Sequence, residues 1–574
     1  MSTSNKINRR DFLHIGWTLG LGTILPAALA GCGGDIGDVM EALPPVSGET
    51  FVAPAMVTPV DGVLDITLTL SYVQTTLNGK LVNLRSINQS IPAPTLCVNA
   101  GDTLRIKVVN QLPPNPYSNE PARHLRYPNS TNLHVHGLHV HPGLVRPGVY
   151  GDYVMDDPTL GIQPGETRLH EYGIDASHPA GAYWYHPHLH GSTAIQVGSG
   201  MAGALIVRGE IDRVPEIAAA LERIFMFQAP LSGKGSPGQL ESFSDVTVAV
   251  PDADILINGV KRPTIVMRRG EVQNWHFINA EIARYLNLSL DGHVIHSYSH
   301  DGNTRPRLLE YRGNGVDGLV MAPGNRESVL IQAGLPGTYY LRTQAYDMGS
   351  DAPLPEEILA VIVVTDAAKP MALPSGPLPA PPVLAHIDDA ELARGGGLKR
   401  SIVMRGMSDQ ASVLHPPPDE FPDWHYETDN TDFAGTVFAM GSAEEYSSSA
   451  PGMPNDFEPF QSRNAKKQVV ALGSVEEWTI YNMNRVQHPF HIHINPFEVI
   501  KINGAAVDPF WADTIGLPAG GTPENPTSVT FRTRFLDFSG AYVMHCHILS
   551  HEDMGMMQTV EVTGAERVAR KADA

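Results

Sequence analysis

Three decapeptides of one pattern, set far apart in the chain, constrain its fold more than any other feature. Gly101–Asn110 (Gly-Asp-Thr-Leu-Arg-Ile-Lys-Val-Val-Asn), Gly270–Asn279 (Gly-Glu-Val-Gln-Asn-Trp-His-Phe-Ile-Asn) and Gly473–Asn482 (Gly-Ser-Val-Glu-Glu-Trp-Thr-Ile-Tyr-Asn) each run from a glycine to an asparagine through an alternating segment. Strand side chains alternate faces with period two, so each reads as a strand leaving a turn. A second triplet comes later in each repeat: Gly181-Ala-Tyr183, Gly337-Thr-Tyr339 and Gly540-Ala-Tyr542. Two motifs recurring three times in one order predict three copies of one β-sandwich unit. The 54 Gly and 47 Pro suit a turn-rich all-β chain.

A length of 574 residues allows about four domains of ordinary size; the repeats give three. We place them at 50–212, 213–366 and 397–565, with a linker at 367–396 and a tail at 566–574. In the linker Pro370, Pro374, Pro377, Pro379, Pro381 and Pro382 stand too close together for a central strand or a helix. Residues 409–462 are polar, Pro-rich and acidic. A stretch that long between strands is either functional, here as a lid, or disordered.

The second triplet also distributes chemistry. Five residues past its glycine stand His186, Arg342 and His545; one further stand Pro187, Thr343 and Cys546. Only the third unit has a cysteine there, flanked by histidines in His545-Cys546-His547, with His551 and Met556 close behind. Thiolate, imidazole and a weak thioether are what a blue-copper electron-transfer centre requires. On a strand His545 and His547 project to one side and Cys546 to the other, so one copper can take Cys546, His551 and His488, with Met556 axial, while the two flanking histidines serve metal on the opposite face.

Three further clusters complete a set: Asn132-Leu-His134-Val-His136-Gly137, Trp184-Tyr-His186-Pro-His188 and His488-Pro-Phe-His491-Ile-His493. Each holds an i, i+2 pair that a strand aims at one point. With His545 and His547 they supply eight imidazoles, donors that suit copper, from the first and third units alone. The cluster is therefore expected in a pseudo-symmetric interface between those units, with the middle unit as a spacer. In this register His186 matches His545 and His188 matches His547, which leaves His190 as a neighbour of the cluster or a structural histidine; His139 and His141 form another pair, read as outside the cluster.

In order and internal spacing the four motifs resemble those of the multicopper oxidases. The tail His545-Cys-His-Ile-Leu-Ser-His-Glu-Asp-Met-Gly-Met-Met557 is similar to the bacterial laccases and cuprous oxidases. The resemblance spans roughly residues 50–565 and implies three consecutive cupredoxin-like Greek-key domains. It implies four copper ions: a type 1 ion on His488, Cys546, His551 and Met556; a type 2 ion on His134 and His491; and a type 3 pair on His136, His186, His188, His493, His545 and His547. It also implies reduction of O2 to water, which consumes protons. By the same resemblance Glu552 relays protons, the alternative being an ordinary hydrogen bond. The relatives place an aspartate nine residues past the position of His136, where this chain has Val145; Asp152 is the expected substitute, ahead of Asp156 and Asp157.

Asn8-Arg9-Arg10-Asp11-Phe12-Leu13 resembles a twin-arginine signal, and Leu29-Ala30-Gly31-Cys32 a bacterial lipobox. Residues 1–31 are thus expected to be a targeting segment. The mature chain is expected to be periplasmic or in the cell envelope, either lipid-anchored at Cys32 or cleaved without lipid. The chain has three cysteines; with Cys32 and Cys546 so used, Cys97 has no partner and is expected to be a buried thiol.

From residue 32 onward, 37 basic face 60 acidic residues, a net charge of −23. That excludes a phosphate-binding surface and so nucleic acid as partner, and draws cations weakly. Two reductants fit. A laccase-like enzyme takes single electrons from phenols or aromatic amines; a metallo-oxidase takes them from Cu(I), Mn(II) or Fe(II). Met404, Met407, Met440 and Met453 are scattered rather than clustered, and methionine in a β protein is more often core filler, which favours the organic reductant. A storage or structural copper protein is the third reading, opposed by the complete ligand set.

Overall fold

The computed structural model describes residues 49–565 except 78, 116–126, 156–160, 234, 241–245, 247–252, 314–317, 351–352, 408–436, 445–459 and 461–466. The Arg9-Arg10 and Cys32 motifs, Asp156, Asp157, Met453 and most of the acidic 409–462 stretch lie outside the described residues. Among the described residues strands pair into six sheets, one of six and one of five strands in each third of the chain. Among the described residues no helix is long and apolar enough to cross a membrane.

The sequence repeats occupy equivalent places. Thr103–Asn110, Val272–Asn279 and Ser474–Asn482 each lie inside a six-stranded sheet. Each is parallel to one neighbour and antiparallel to the other. Gly101, Gly270 and Gly473, which open the repeats, have φ of 98°, 79° and 91°, a region that favours glycine.

The closing asparagines do one job three times. Each is buried, and its Nδ2 donates to two backbone carbonyls: Asn110 to Asn129 and Ile162, Asn279 to Arg284 and Met321, Asn482 to Val486 and Pro518. Each Oδ1 accepts from the backbone N–H two residues on, at Leu112, Glu281 and Asn484. A buried amide with its hydrogen-bonding capacity so used fixes where the strand stops.

Gly181–His186, Gly337–Thr343 and Gly540–Cys546 sit in the five-stranded sheets. Across the strand pairs, His134 stands opposite His186 and His491 opposite His545. In the middle unit the corresponding pair is Ser289 and Arg342, and Arg342 turns to an ion pair with Asp291 at 3.1 Å.

Inner faces of both sheets contribute to each core. One continuous apolar cluster runs through the first and third units, from Leu64 to Val562, whereas the middle unit has its own, around Trp275, Phe277 and Leu341. The first and third units also meet where Asp553 accepts from the backbone N–H groups of Gly191 (2.7 Å), Thr193 (3.2 Å) and Ala194 (2.7 Å), capping the short helix Thr193–Gly198.

The prolines of the linker are free of strand and α-helix, but a helix follows them at Asp389–Arg394, capped by Asp388. It is tied to the third unit by Arg534 to Glu391 at 2.6 Å and Arg532 to Asp389 at 2.5 Å. Its capping residue and first-turn acids supply the local reason for helix where spacing alone gave linker. Met404 and Met440 are cross-strand neighbours, both buried in the shared core.

Candidate metal centre

Two groups of donors converge within one residue of each other. The first is His488, Cys546 and His551. Cys546 Sγ lies 3.5 Å from His488 Nδ1 and 3.8 Å from His551 Nδ1, and those two nitrogens are 3.3 Å apart. His488 Nε2–H donates to Asn484 Oδ1 (3.2 Å), which leaves the Nδ1 lone pair facing the thiol. His551 comes from the helix Leu549–Asp553, directly after the Cys546 strand. Phe438 stacks on its ring at 4.0 Å, and it is partly exposed while His488 and Cys546 are buried. Met556 is buried; its carbonyl accepts from the Cys546 N–H and its own N–H donates to the His551 carbonyl. Burial pushes the Cys546 thiol far up and brings His488 down to about 4. The imidazole is thus a neutral donor, whereas the thiol ionises only with a cation beside it.

The second group holds all eight paired histidines, each buried. His188, His493 and His545 place their Nε2 atoms in a triangle of 3.1, 3.2 and 3.3 Å sides. Their Nδ1 atoms face oxygens. His545 Nδ1–H donates to the Cys546 carbonyl (3.0 Å) and lies 3.1 Å from Glu552; His188 Nδ1 is 3.5 Å from Glu552 and His493 Nδ1 is 3.5 Å from Asp152. With a proton on each Nδ1, the three Nε2 lone pairs point at one another, an arrangement a cation relieves. The other five show the same tension: His134 Nε2, His136 Nδ1, His186 Nε2, His491 Nε2 and both nitrogens of His547 have no hydrogen-bond partner. Buried polar atoms are ordinarily paired, so this donor set fits bound metal.

Rings from the two units interleave. His134 stacks on His493 at 3.8 Å and His136 on His491 at 3.9 Å. Burial, and then the neighbouring imidazoles, hold His134 well below the usual range, and burial brings His186 to about 3.

Carboxylates frame the cluster. His134 Nδ1–H donates to Asp152 Oδ1 (2.9 Å), and the same oxygen accepts from the Val135 N–H (3.0 Å). Asp152 thereby touches a first-unit and a third-unit histidine. Glu552 is fully buried between His188 and His545. Burial alone raises its carboxyl; the facing His188 and His545 outweigh that and lower it to about 2.

Sequence reasoning missed a third carboxylate. Asp513 lies 3.3 Å from His136 Nε2 and 3.6 Å from His491 Nδ1, and its carbonyl accepts from that Nδ1–H at 2.8 Å. Burial raises its carboxyl, but the Arg326 guanidinium outweighs this and holds it well below the usual carboxylate range. Arg326, from the middle unit, forks onto Asp513 at 2.8 and 2.6 Å with no exposure of its own. Removing one partner of such a buried pair costs about 3–5 kcal/mol, because the other charge is stranded. A repeat-based signal for Asp513 existed: like Asp152, it follows an i, i+2 histidine pair by about twenty residues in a ligand-bearing unit. Arg326 has no such signal. The middle unit is therefore more than a spacer.

The three other histidines singled out in the sequence lie outside both donor groups. His139 Nδ1–H donates to the Ile494 carbonyl and its Nε2 lies 2.9 Å from Asp537; the His141 ring packs on Phe538; His190 packs on Phe460. Cys97 is buried and free.

Comparison with known proteins agrees with this geometry. Three family models, each described as multicopper oxidase, match residues 123–211, 234–366 and 436–566. A laccase of Bacillus stratosphericus is 24% identical over 526 residues, covering 83% of this chain and 90% of its own. A multicopper oxidase of Staphylococcus haemolyticus is 22% identical, covering 84% of each. Among solved structures, a multicopper oxidase from Campylobacter jejuni, described as a metallo-oxidase, superposes with a TM-score of 0.66 at 24% identity, covering 90% of this chain and 96% of its own. A laccase from Pediococcus acidilactici gives 0.64 at 22%, covering 91% and 95%.

Proposed function

This chain belongs to the multicopper oxidases, copper-dependent oxidoreductases with dioxygen as acceptor, and from that membership we propose a laccase-like enzyme that oxidises phenols or aromatic amines one electron at a time. Copper bound at His488, Cys546 and His551 supplies the electron acceptor, and copper bound among the eight paired histidines supplies the reduction of O2 to water. We assign four ions: His488, Cys546, His551 and Met556 would hold the type 1 copper; His134 and His491 the type 2 copper; and His136, His186, His188, His493, His545 and His547 the type 3 pair.

One observation carries the reading. The triangle of His188, His493 and His545 is joined to the thiol group by a single peptide link, Cys546 to His545, and the His545 Nδ1–H donates to the Cys546 carbonyl. Electrons thus have both a covalent and a hydrogen-bonded route from one donor set to the other. His551, partly exposed, is the side chain a bulky reductant can approach. Glu552 and Asp152 each face imidazoles of the cluster and are placed to hold or pass protons there.

The metallo-oxidase alternative is favoured by the description of the Campylobacter jejuni structure. Against it, Met404 and Met440 fill the core rather than offering thioethers to an incoming soft cation. From Arg9-Arg10 and Cys32 we further propose export through a twin-arginine route to the periplasm or cell envelope, with a lipid anchor at Cys32.

Oxygen uptake by the copper-loaded protein tests the reductant, with a dimethoxyphenol and, separately, with anaerobically prepared Cu(I). Faster turnover of the phenol supports the laccase-like reading; uptake with Cu(I) alone replaces it with the metallo-oxidase; uptake with neither contradicts both.

A further inference from the structure

We propose that Arg326, from the unit with none of the paired histidines, is a positioning residue for the copper assigned to His134 and His491. The proposal rests on the four-ion reading above.

The argument starts at His491. Its Nδ1 lies 2.8 Å from the Asp513 carbonyl and 3.0 Å from Thr514 Oγ1, so the dipeptide Asp513-Thr514 sets the direction of the Nε2 donor. The same dipeptide steers a histidine of the first unit: His136 Nε2 lies 3.3 Å from Thr514 Oγ1 and 3.3 Å from Asp513 Oδ1. Whatever fixes Asp513-Thr514 therefore fixes two imidazoles from different units.

The middle unit fixes it from three residues. Arg326 Nη1 and Nη2 donate to the two Asp513 carboxylate oxygens. Asp301 Oδ2 accepts from the backbone N–H groups of Asp513 (3.3 Å) and Thr514 (3.2 Å). Asn325 Nδ2 donates to the Thr514 carbonyl (2.9 Å). Arg326 is itself held on every side. Its N–H donates to Asp301 Oδ1, its Nε donates to the first-unit carbonyl of Ala182, and its guanidinium lies over the Tyr183 ring at 5.5 Å.

Space at the junction is matched to this fork. A Cβ on Gly137, the residue after His136, would run into the Arg326 guanidinium and stand 2.7 Å from Asp513 Oδ2. A Cβ on Gly324, two residues before Arg326, would stand 3.0 Å from His547 and 3.1 Å from His136. Backbone from the first and middle units approaches the cluster only because both positions are bare. Lysine at 326 keeps the charge but presents a point donor that cannot hold both oxygens of Asp513. The carboxylate, which meets His136 Nε2 and accepts from Thr514 Oγ1 at 2.8 Å, is then free to rotate, which loosens the His136 ring and, through that hydroxyl, the side-chain contact of Thr514 with His491.

The test uses full-length, copper-loaded Arg326→Lys, with copper content, the type 2 electron paramagnetic resonance signal, the blue absorption and oxygen uptake read on one sample. The expected result is retained blue absorption, a type 2 signal shifted in its hyperfine splitting or lost with one copper fewer per chain, and oxygen uptake lower by about 10–100-fold. Asp301→Asn, nearly isosteric, is read by the same criteria and decides the matter if the lysine variant is insoluble. Loss of the blue and type 2 signals together marks a general packing role and overturns the proposal, as do variants with parental copper content, spectra and turnover. A parent without any type 2 signal fails the four-ion reading and takes this one with it; a parent with it, unchanged in both variants, fails this one alone.

Discussion

Glu552 Oε2 lies 3.1 Å from His545 Nδ1, and its other oxygen lies 3.5 Å from His188 Nδ1, so one buried carboxylate faces histidines from two units of the fold. Glu552→Gln keeps the shape and removes the site that can accept and release a proton. The expected outcome is unchanged blue absorption and copper content, with kcat lower by about 100-fold and KM for the reductant unchanged. Steady-state oxygen uptake at saturating reductant reads it; parental kcat would remove Glu552 from proton delivery.

Met556 is buried beside the thiol group, and its backbone exchanges hydrogen bonds with Cys546 and His551. Met556→Leu preserves those backbone bonds and deletes the thioether. We expect a higher potential at the blue site, since the axial ligand tunes it, measured by redox titration of the blue absorption. An unchanged potential argues against axial ligation by Met556.

Asp553 caps a helix of the first unit from the third through three backbone N–H groups. Asp553→Ala leaves those donors buried and unpaired, and is expected to destabilise the protein by about 2 kcal/mol or more. Equilibrium denaturation of the copper-free protein measures it; a change below about 0.5 kcal/mol, the range of neutral surface substitutions, would show the cap is replaced by solvent.

Stability of the copper-free protein should fall with acidification. Burial brings His170 and His178 to about 4 and His186 to about 3, against an ordinary value of 6.5. These depressed values mean that below pH 6.5 the unfolded chain binds protons that the folded one refuses. Stability present above pH 6.5 is therefore lost as pH drops toward 4, at up to about 1.4 kcal/mol per unit for each such group. Thermal melts at pH 7, 6, 5 and 4.5 should show Tm descending through that window, and a flat Tm would contradict the neutral, buried state of these rings. Bound copper should flatten only the share of the slope that comes from His186, because it competes with protons for that ring and not for His170 or His178.

The sandwich repeat was legible because it is written in local terms. A glycine with positive φ, a period-two segment and a buried asparagine recur at Gly101–Asn110, Gly270–Asn279 and Gly473–Asn482, and each closes a strand by short-range bonds. The eight histidines were legible as pairs for the same reason. Arg326 and Asp301 were not, since Arg326 meets Asp513 across 187 residues and belongs to no motif, while Asp513 was marked only by its spacing from the His491 and His493 pair. Metal-binding residue types mark the first and third units, whereas the unit without them supplies a guanidinium instead. The Asp389–Arg394 helix was hidden by the prolines before it, whose spacing speaks only for their own backbone.

The central claim is that electrons pass from one thiolate to a cluster one peptide bond away, and Cys546→Ser tests it most directly. Copper-loaded Cys546→Ser should lose the blue absorption, bind one copper fewer per chain and consume no oxygen with the dimethoxyphenol or with Cu(I), while the type 2 signal persists. Oxygen uptake at the parental rate by that variant would contradict the account.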